Sequence, residues 1–316
     1  MIMVNKFLKG LNPMNKYPLI LLAAFTISCN NPIKSNSSDV DKQSLEDKVQ
    51  ESGNLNLYHL PPILKEISGI TFLNPDLILA IQDEKGSLYH YSLKKNEIVK
   101  EFEFGKSDDY EDLVRIDKDL YVVSSNGTII QIKDFESAKP AIMKFKTVLT
   151  KENDIEGLGY EPQRNRLLLA AKANGMDQDK NTKEIYAFNL NTMKLEMTPA
   201  YTIKLDEIEA YFTGDALEES SKKFLKALGN RNMNKVFSSS AITVHPKNHK
   251  IFVLSSINNL IVVLSPDGAI SEIIQFKGKE FKQPEGIAFS QEGKLFISNE
   301  AGKKGKGNII EIEYAK

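Results

Sequence analysis

The sequence contains no tryptophan, one cysteine and four histidines among its 316 residues. A single cysteine excludes a disulfide framework, and so few histidines leave little material for imidazole-based zinc sites or catalytic triads. The charges nearly cancel, with 41 basic and 42 acidic side chains. Because a nucleic-acid-binding surface needs an excess of positive charge, we expect no nucleic-acid partner.

The one cysteine directly follows an apolar run near the N-terminus. Residues 17–28 read YPLILLAAFTIS, three lysines precede them, and Cys29 comes next. A basic start, a short apolar run and small residues before a cleavage point are typical of a secretory signal peptide, and the run is too short to span a bilayer comfortably. A cysteine in this position resembles the lipidated first residue of a bacterial lipoprotein.

We therefore predict a signal peptide over residues 1–29 with a lipid on Cys29, whether translation starts at Met1 or at Met14. The alternative is an ordinary signal peptide followed by an incidental cysteine. Residues 30–53 are polar and lack large apolar side chains, which predicts a flexible tether. The folded domain is then expected over 54–316. We expect an outer-membrane lipoprotein on the periplasmic face, since no acidic tract of the kind used for surface display follows the cysteine.

The folded region contains a repeat of short strands and polar turns. Each copy begins with a short strand, continues through a turn into a nearly continuous apolar strand, and ends in an alternating strand. We call the residue before the Gly-Ile of each copy, or its equivalent, the marker residue. The marker residues are Ser68, Glu111, Glu156, Ser240 and Glu285.

The spacing of the marker residues predicts the architecture. The steps are 43, 45, 84 and 45 residues, and a period of 40–50 residues with several strands per copy indicates an all-β fold of the β-propeller type. Five blades are predicted, with six as the alternative. The long step contains a helical pattern near 206–230, which we interpret as an insertion. The alternating segment Asn54–Leu60 is predicted to supply the outermost strand of the last blade.

The innermost strand of a propeller blade runs along the central channel, so the marker residues are expected to form a ring. Carboxylates that converge in a narrow channel repel one another, and a bound cation relieves that repulsion. Oxygen ligands favour Ca²⁺ most, and Mg²⁺ or Mn²⁺ is the next candidate. We predict Glu111, Glu156 and Glu285 as metal ligands, with Glu66 and Asp154, two residues before a marker, as further candidates. The alternative is a set of solvated polar residues.

A second polar set follows the apolar strands, where loops are expected to surround the mouth of the channel. Convergent polar groups from several blades predict a ligand site there, although turn residues are the simpler interpretation. The candidate ligand-binding residues are Asp83, Asn126, Lys172, Asn299 and Glu300.

The repeat copies together resemble the SdiA-regulated family of bacterial envelope proteins. The resemblance rests on EISGITF, YEDLVRI, DIEGLGYEPQRNRLLLAAKA, SSSAITVHPKNHKIFVLSS and QPEGIAFSQEGKLFISNEA, and it covers residues 55–315. It implies an exported β-propeller with a Ca²⁺ site near the channel. We expect a monomer that binds a small-molecule or protein ligand in the cell envelope. The alternative function is a metal-dependent hydrolase similar to propeller lactonases or phytases.

Overall fold

A computed structural model describes residues 55–211, 226, 229, 231–276, 278–302, 305–312 and 314. These residues belong to one compact unit, 40–316. The predicted signal peptide with Cys29 and the whole of the predicted tether lie outside the described residues. No helix in the described part of the chain is long and apolar enough to cross a membrane.

In the described part of the chain, 21 strands form five antiparallel sheets that are the blades of a β-propeller. The first blade contains β2 (Ile67–Asn74), β3 (Leu77–Gln82), β4 (Ser87–Ser92) and β5 (Glu97–Glu103). The second blade contains β6 (Tyr110–Ile116), β7 (Asp119–Ser124), β8 (Ile129–Lys133) and β9 (Ala141–Phe145). The third blade contains β10 (Ile155–Glu161), β11 (Arg166–Ala171), β12 (Thr182–Asn189), β13 (Lys194–Leu195) and β14 (Tyr201–Lys204).

The last two blades complete the circle. The fourth blade contains β15 (Ser239–Val244), β16 (Ile251–Ser255), β17 (Leu260–Leu264) and β18 (Ile270–Gln275). The fifth contains β19 (Pro284–Phe289), β20 (Leu295–Asn299), β21 (Asn308–Ile312) and, from the other end of the domain, β1 (Asn56–His59). Each innermost strand contacts that of the next blade, and β19 contacts β2. The prediction of five blades is confirmed, and so is the closing strand.

The described residues form five apolar core clusters, one between each pair of neighbouring blades. The second and third strands of a blade are covered on both faces, as in Leu260–Leu264, where every residue is buried. This coverage explains their continuous apolar sequences, because alternation is expected only where one face of a strand meets water. Each fully buried aliphatic side chain contributes about 1.5–3 kcal/mol relative to an exposed one.

The predicted helical insertion is confirmed in the described residues, although its second helix lies after the predicted end near residue 230. Helix α1 (Leu205–Tyr211) follows the third blade, and helix α2 (Met233–Val236) precedes the fourth. Both helices bury their apolar side chains in the cluster between these two blades. Most of the segment between the helices, including 212–225, lies outside the described residues. Short 3-10 turns also occur at Pro62–Leu64 and Pro162–Arg164.

Candidate functional site in the central channel

The innermost strand of every blade carries an irregularity at the marker residue. In the second blade Tyr110 pairs with Ser124 and Asp112 pairs with Val123, so Glu111 is passed over. The pairing skips the marker residue in the other four blades too. Such a β-bulge leaves one residue out of the ladder and redirects its side chain. Five bulges at equivalent positions therefore point five side chains toward one axis.

The marker residues share a cavity of about 170 Å³ in the channel. Its lining residues are Ser68, Asp83, Asp109, Glu111, Glu156, Lys172, Ser240, Gln283, Glu285 and Glu300. Six of these ten side chains are carboxylic acids, and one is an ammonium group. The predicted ring of marker residues is thus found in the structure, and its charge is strongly unbalanced.

Lys172 supplies the one positive charge that lines this cavity. It follows the end of β11, and its Nζ forms an ion pair with Oε1 of Glu156, whose residue is 7 % exposed. Burial alone would lower the pKa of Lys172, but the charge of Glu156 and the hydrogen bond to it raise that pKa above its usual range. The ammonium group therefore stays charged and serves as a built-in counterion for the ring.

One ammonium group does not neutralise the remaining carboxyl groups. Burial raises the pKa of Glu111 to about 9, and the charges of Glu156 and Asp109 add to the rise. Burial also raises the pKa of Glu300 to about 7, with further contributions from Glu285 and Asp83. Carboxyl groups with raised pKa values are expected where acids share a partly desolvated site and have too few cations.

The candidates placed two residues before the markers behave differently from the ring. Of the five residues that precede a marker by two positions, Asp109 and Gln283 line the cavity. Glu66 instead pairs with the neighbouring Lys65, at 3.2 Å between Nζ and Oε1. Asp154 has a left-handed backbone, with φ 53°, and is not among the lining residues. Both stay within electrostatic reach of the cavity, since, in addition to burial, the charge of Glu66 raises the pKa values of Asp83 and Glu300, and the charge of Asp154 raises those of Glu111 and Glu156.

Three residues of the second polar set reach the cavity, namely Asp83, Lys172 and Glu300. The other two have structural partners. Asn126 Oδ1 accepts the backbone N–H of Thr128 at 3.0 Å within its own turn. Asn299 is fully buried and donates from Nδ2 to Oδ1 of Asn308 at 2.9 Å. Ligand contact by Asp83, Lys172 and Glu300 stays a prediction, now with a shared location.

Asp112 was missed by sequence reasoning although it lies beside the ring. The residues that directly follow the markers are Gly69, Asp112, Gly157, Ala241 and Gly286. Four of them are small, and Asp112, which is 2 % exposed, places Oδ1 only 2.3 Å from where a Cβ atom on Gly69 would lie. Its two oxygens accept the backbone N–H groups of Leu113 and of Leu158 in the next blade, both at 2.8 Å. The sequence did contain a signal for Asp112, since it is the one acidic residue at a repeat position that is otherwise glycine or alanine.

Lys183 was also missed, and it organises the loop that carries Lys172. It lies on β12 and is 0 % exposed. Its Nζ donates to the carbonyl oxygens of Lys172 and, at 2.7 Å, of Ala173, and to Oδ1 of Asn234 in helix α2. Burial lowers the pKa of Lys183 to about 7. The Lys183 side chain therefore connects helix α2 of the insertion to the loop that carries Lys172 into the channel.

The fit of the channel to a metal ion depends on Lys172. Among the residues that the structure describes, no group of three or more His, Cys, Asp or Glu side chains has the arrangement of a metal site. In the described arrangement Glu156 is bonded to an ammonium group instead. The donor atoms suit Ca²⁺ chemically, since they are carboxylate and hydroxyl oxygens, but their present arrangement does not gather them around one ion.

Comparison with known proteins gives a family and a fold. The family described as SdiA-regulated matches residues 50–302. No curated protein sequence matches the chain. Among solved structures, the glutaminyl cyclase of Myxococcus xanthus is 12 % identical, with a TM-score of 0.51, over 82 % of this chain and 94 % of that one. A streptogramin B lyase is 14 % identical, with a TM-score of 0.45, over 82 % of this chain and 98 % of that one. At such identities these similarities concern the fold alone.

Proposed function

The chain belongs to the SdiA-regulated family, and we propose that it is an exported, lipid-anchored β-propeller that binds a cation in its central channel and a small-molecule or protein ligand at the channel mouth. One observation supports the cation site: six carboxyl groups and a single ammonium group line one small cavity. A further cation stabilises a site with that excess of acidic groups, because it reduces the repulsion between the carboxylates. Its volume of about 170 Å³ suits an ion or a single small group.

Ca²⁺ is the cation that we propose first. Binding requires the ammonium group of Lys172 to leave Glu156, because both cations need the same carboxylate. Glu111, Glu156 and Glu285 would then hold the ion through oxygen atoms, which are the ligands that Ca²⁺ prefers. The bound ion would neutralise the ring and present a positive charge to a ligand at the mouth. Lys172 and Ca²⁺ are competitors in this proposal.

Calorimetric titration of the purified protein with Ca²⁺ tests the cation site. We expect binding by the wild-type protein, and a loss of at least about tenfold in affinity for Glu156→Gln, which keeps the shape of the side chain but removes its charge. Glu292→Gln, at an exposed turn, is the matched control and is expected to bind as the wild type does. A wild-type protein that takes up no Ca²⁺, Mg²⁺ or Mn²⁺ contradicts the cation site.

Turnover assays separate this proposal from the hydrolase alternative. The same protein is incubated with lactones and phosphate esters, with and without a chelator. Hydrolysis that disappears on chelation and in Glu156→Gln would establish an enzyme and overturn the proposal of a binding protein. Without turnover, a ligand at the channel mouth accounts for the site.

The lipid anchor is a separate part of the proposal and has its own test. Metabolic labelling with a radioactive fatty acid is expected to mark the wild-type protein and not Cys29→Ala. The variant should move from the outer-membrane fraction to the soluble periplasmic fraction. A wild-type protein without label, or one that is digested by protease added to intact cells, contradicts the anchor or the periplasmic face respectively.

A further inference from the structure

A second cavity, of about 320 Å³, lies at the other end of the innermost strands of the fifth, first and second blades. Its lining includes Phe72 and Leu73 near the end of β2, Arg115 and Asp117 around the end of β6, and Phe289 at the end of β19. It shares no residue with the acidic channel cavity. Its volume falls within the range of roughly 300–1,000 Å³ that is typical of small-molecule sites.

The apolar walls of this cavity are held by packing against the core. The ring of Phe72 meets that of Phe296 edge to face at 4.8 Å. The ring of Phe289 meets those of Phe252 at 4.8 Å and His245 at 4.6 Å. Walls fixed in this way lose little conformational entropy when a ligand binds.

Arg115 places a positive charge at the same cavity in a fixed orientation. Its Nε donates to the carbonyl oxygen of Asp117, and its Nη1 donates to the carbonyl oxygen of Leu73 in the neighbouring blade, both at 2.8 Å. Both partners are neutral, and within the described residues Arg115 forms no ion pair. The Nη2 donors of the guanidinium group therefore remain for an anion, and a carboxylate suits them.

Asp117 adds a negative charge to the lining, while its backbone carbonyl orients the guanidinium group. The cavity thus combines one cationic group, one anionic group and apolar walls. The chemical complement of that set is a zwitterion with an apolar side chain. We propose that this cavity binds an α-amino acid of apolar side chain, with its carboxylate on Arg115, its ammonium group on Asp117, and its side chain between Phe72, Leu73 and Phe289.

Three probes test the proposal on the purified protein by saturation-transfer NMR and calorimetry: leucine, N-acetyl-leucine, which lacks the ammonium group, and leucinamide, which lacks the carboxylate. The wild-type protein is expected to bind leucine with a Kd of about 1 mM or tighter, and each derivative at least about tenfold more weakly. The variant Asp117→Asn should bind leucine no more tightly than it binds N-acetyl-leucine. The variant Arg115→Gln should bind leucine no more tightly than it binds leucinamide.

Two features of the chain keep this experiment interpretable. Asp117 has φ 52°, a conformation that asparagine also adopts readily, so Asp117→Asn is expected to fold even if Arg115→Gln does not. Lys118→Gln, at an exposed neighbour outside this cavity, should bind all three probes as the wild type does. Leucine binding by the wild type should not depend on added Ca²⁺, which separates this site from the channel proposal. Failure of the wild type to bind leucine, equal binding of all three probes, or unchanged leucine binding by Asp117→Asn would overturn the proposal.

Discussion

Two consecutive residues of each repeat have opposite requirements at the centre of the propeller. The marker residue leaves the strand ladder and points its polar side chain into the channel cavity. The next residue is glycine or alanine in four of the five repeats, with Asp112 as the exception, because the innermost strands approach one another closely there. A Cβ atom on Gly286 would lie 2.6 Å from the carbonyl oxygen of Ser68, in the neighbouring blade. This pair of requirements explains why Glu285 stands directly before a glycine.

The close approach at Gly69 makes a prediction about stability. A Cβ atom there would lie 2.7 Å from Cα and 2.3 Å from Oδ1 of Asp112, and backbone atoms cannot move aside cheaply. Gly69→Ala is expected to lower the free energy of unfolding by about 1–3 kcal/mol in a urea titration. Gly229→Ala is the control, since nothing lies within 4 Å of a Cβ atom at that helical position, and it should leave stability unchanged or slightly raised. Equal stability of the two variants would contradict the crowding.

Glu111 makes a prediction about pH. Its pKa is raised to about 9 in the folded protein, chiefly by burial, whereas the unfolded chain has an ordinary value near 4.5. Between these values the folded state binds more protons than the unfolded state, so the stability contributed by Glu111 is complete below about pH 4.5 and is lost as the pH rises toward 9.

The variant Glu111→Gln removes that titration. We therefore expect its stability, relative to the wild type, to increase from pH 5 to pH 9 in urea titrations at each pH. Comparison with the wild type cancels the opposing contributions of other buried groups, including Lys183, whose pKa is lowered to about 7 by burial. A stability difference that is constant with pH would contradict the raised pKa of Glu111.

At the scale of strands, the pattern of the sequence predicts the blades well and the bulges poorly. The continuous apolar runs mark strands that are covered on both faces, and this property depends only on burial. The bulge depends on how two strands pair, which the residues of one strand do not determine. The two-residue alternation placed the residue two before each marker on the same face as the ring. Of those five residues, Asp109 and Gln283 line the cavity, whereas Glu66 and Asp154 do not.

The approach of Lys172 to the ring could not be predicted for a related reason. Lys172 lies 16 residues from Glu156 in the chain, and the contact depends on the loop after β11. That loop is fixed by hydrogen bonds from Lys183 on β12 and by a hydrogen bond from Nδ2 of Asn234 in helix α2 to Oδ1 of Asn174. Contacts that depend on three separate segments leave no periodic signal in a sequence.

Lys183→Met tests the connection between the insertion and this loop. The change removes the donor of three hydrogen bonds from a site without exposure to water, and buried acceptors without partners are costly. We expect the free energy of unfolding to fall by about 2–4 kcal/mol. Lys180→Met, at an exposed position a few residues earlier, should change it by less than about 0.5 kcal/mol. A stability of Lys183→Met close to that of Lys180→Met would show that the buried ammonium group is dispensable.

At the scale of the whole molecule, the propeller is closed by the two ends of its own domain. β1 pairs with β21 over Asn56–His59, and Tyr58 donates its hydroxyl hydrogen to Glu311 at 2.8 Å. The sequence predicts this closure because an alternating segment remained before the first repeat and the last repeat lacked one strand. A closed circle holds five innermost strands in a fixed ring, so the charge of the cavity is a property of the whole fold.

The competition between Lys172 and a cation is therefore the central claim, and titration of Lys172→Met with Ca²⁺ tests it most directly. Methionine fills a similar volume without charge, so the ring keeps its carboxylates and loses its internal counterion. Because removal of one nearby charge is worth more than about 1.4 kcal/mol at an effective dielectric constant of about 20, the variant is predicted to bind Ca²⁺ at least about tenfold more tightly than the wild type. Binding by Lys172→Met that is unchanged or weaker than that of the wild type would contradict the claim.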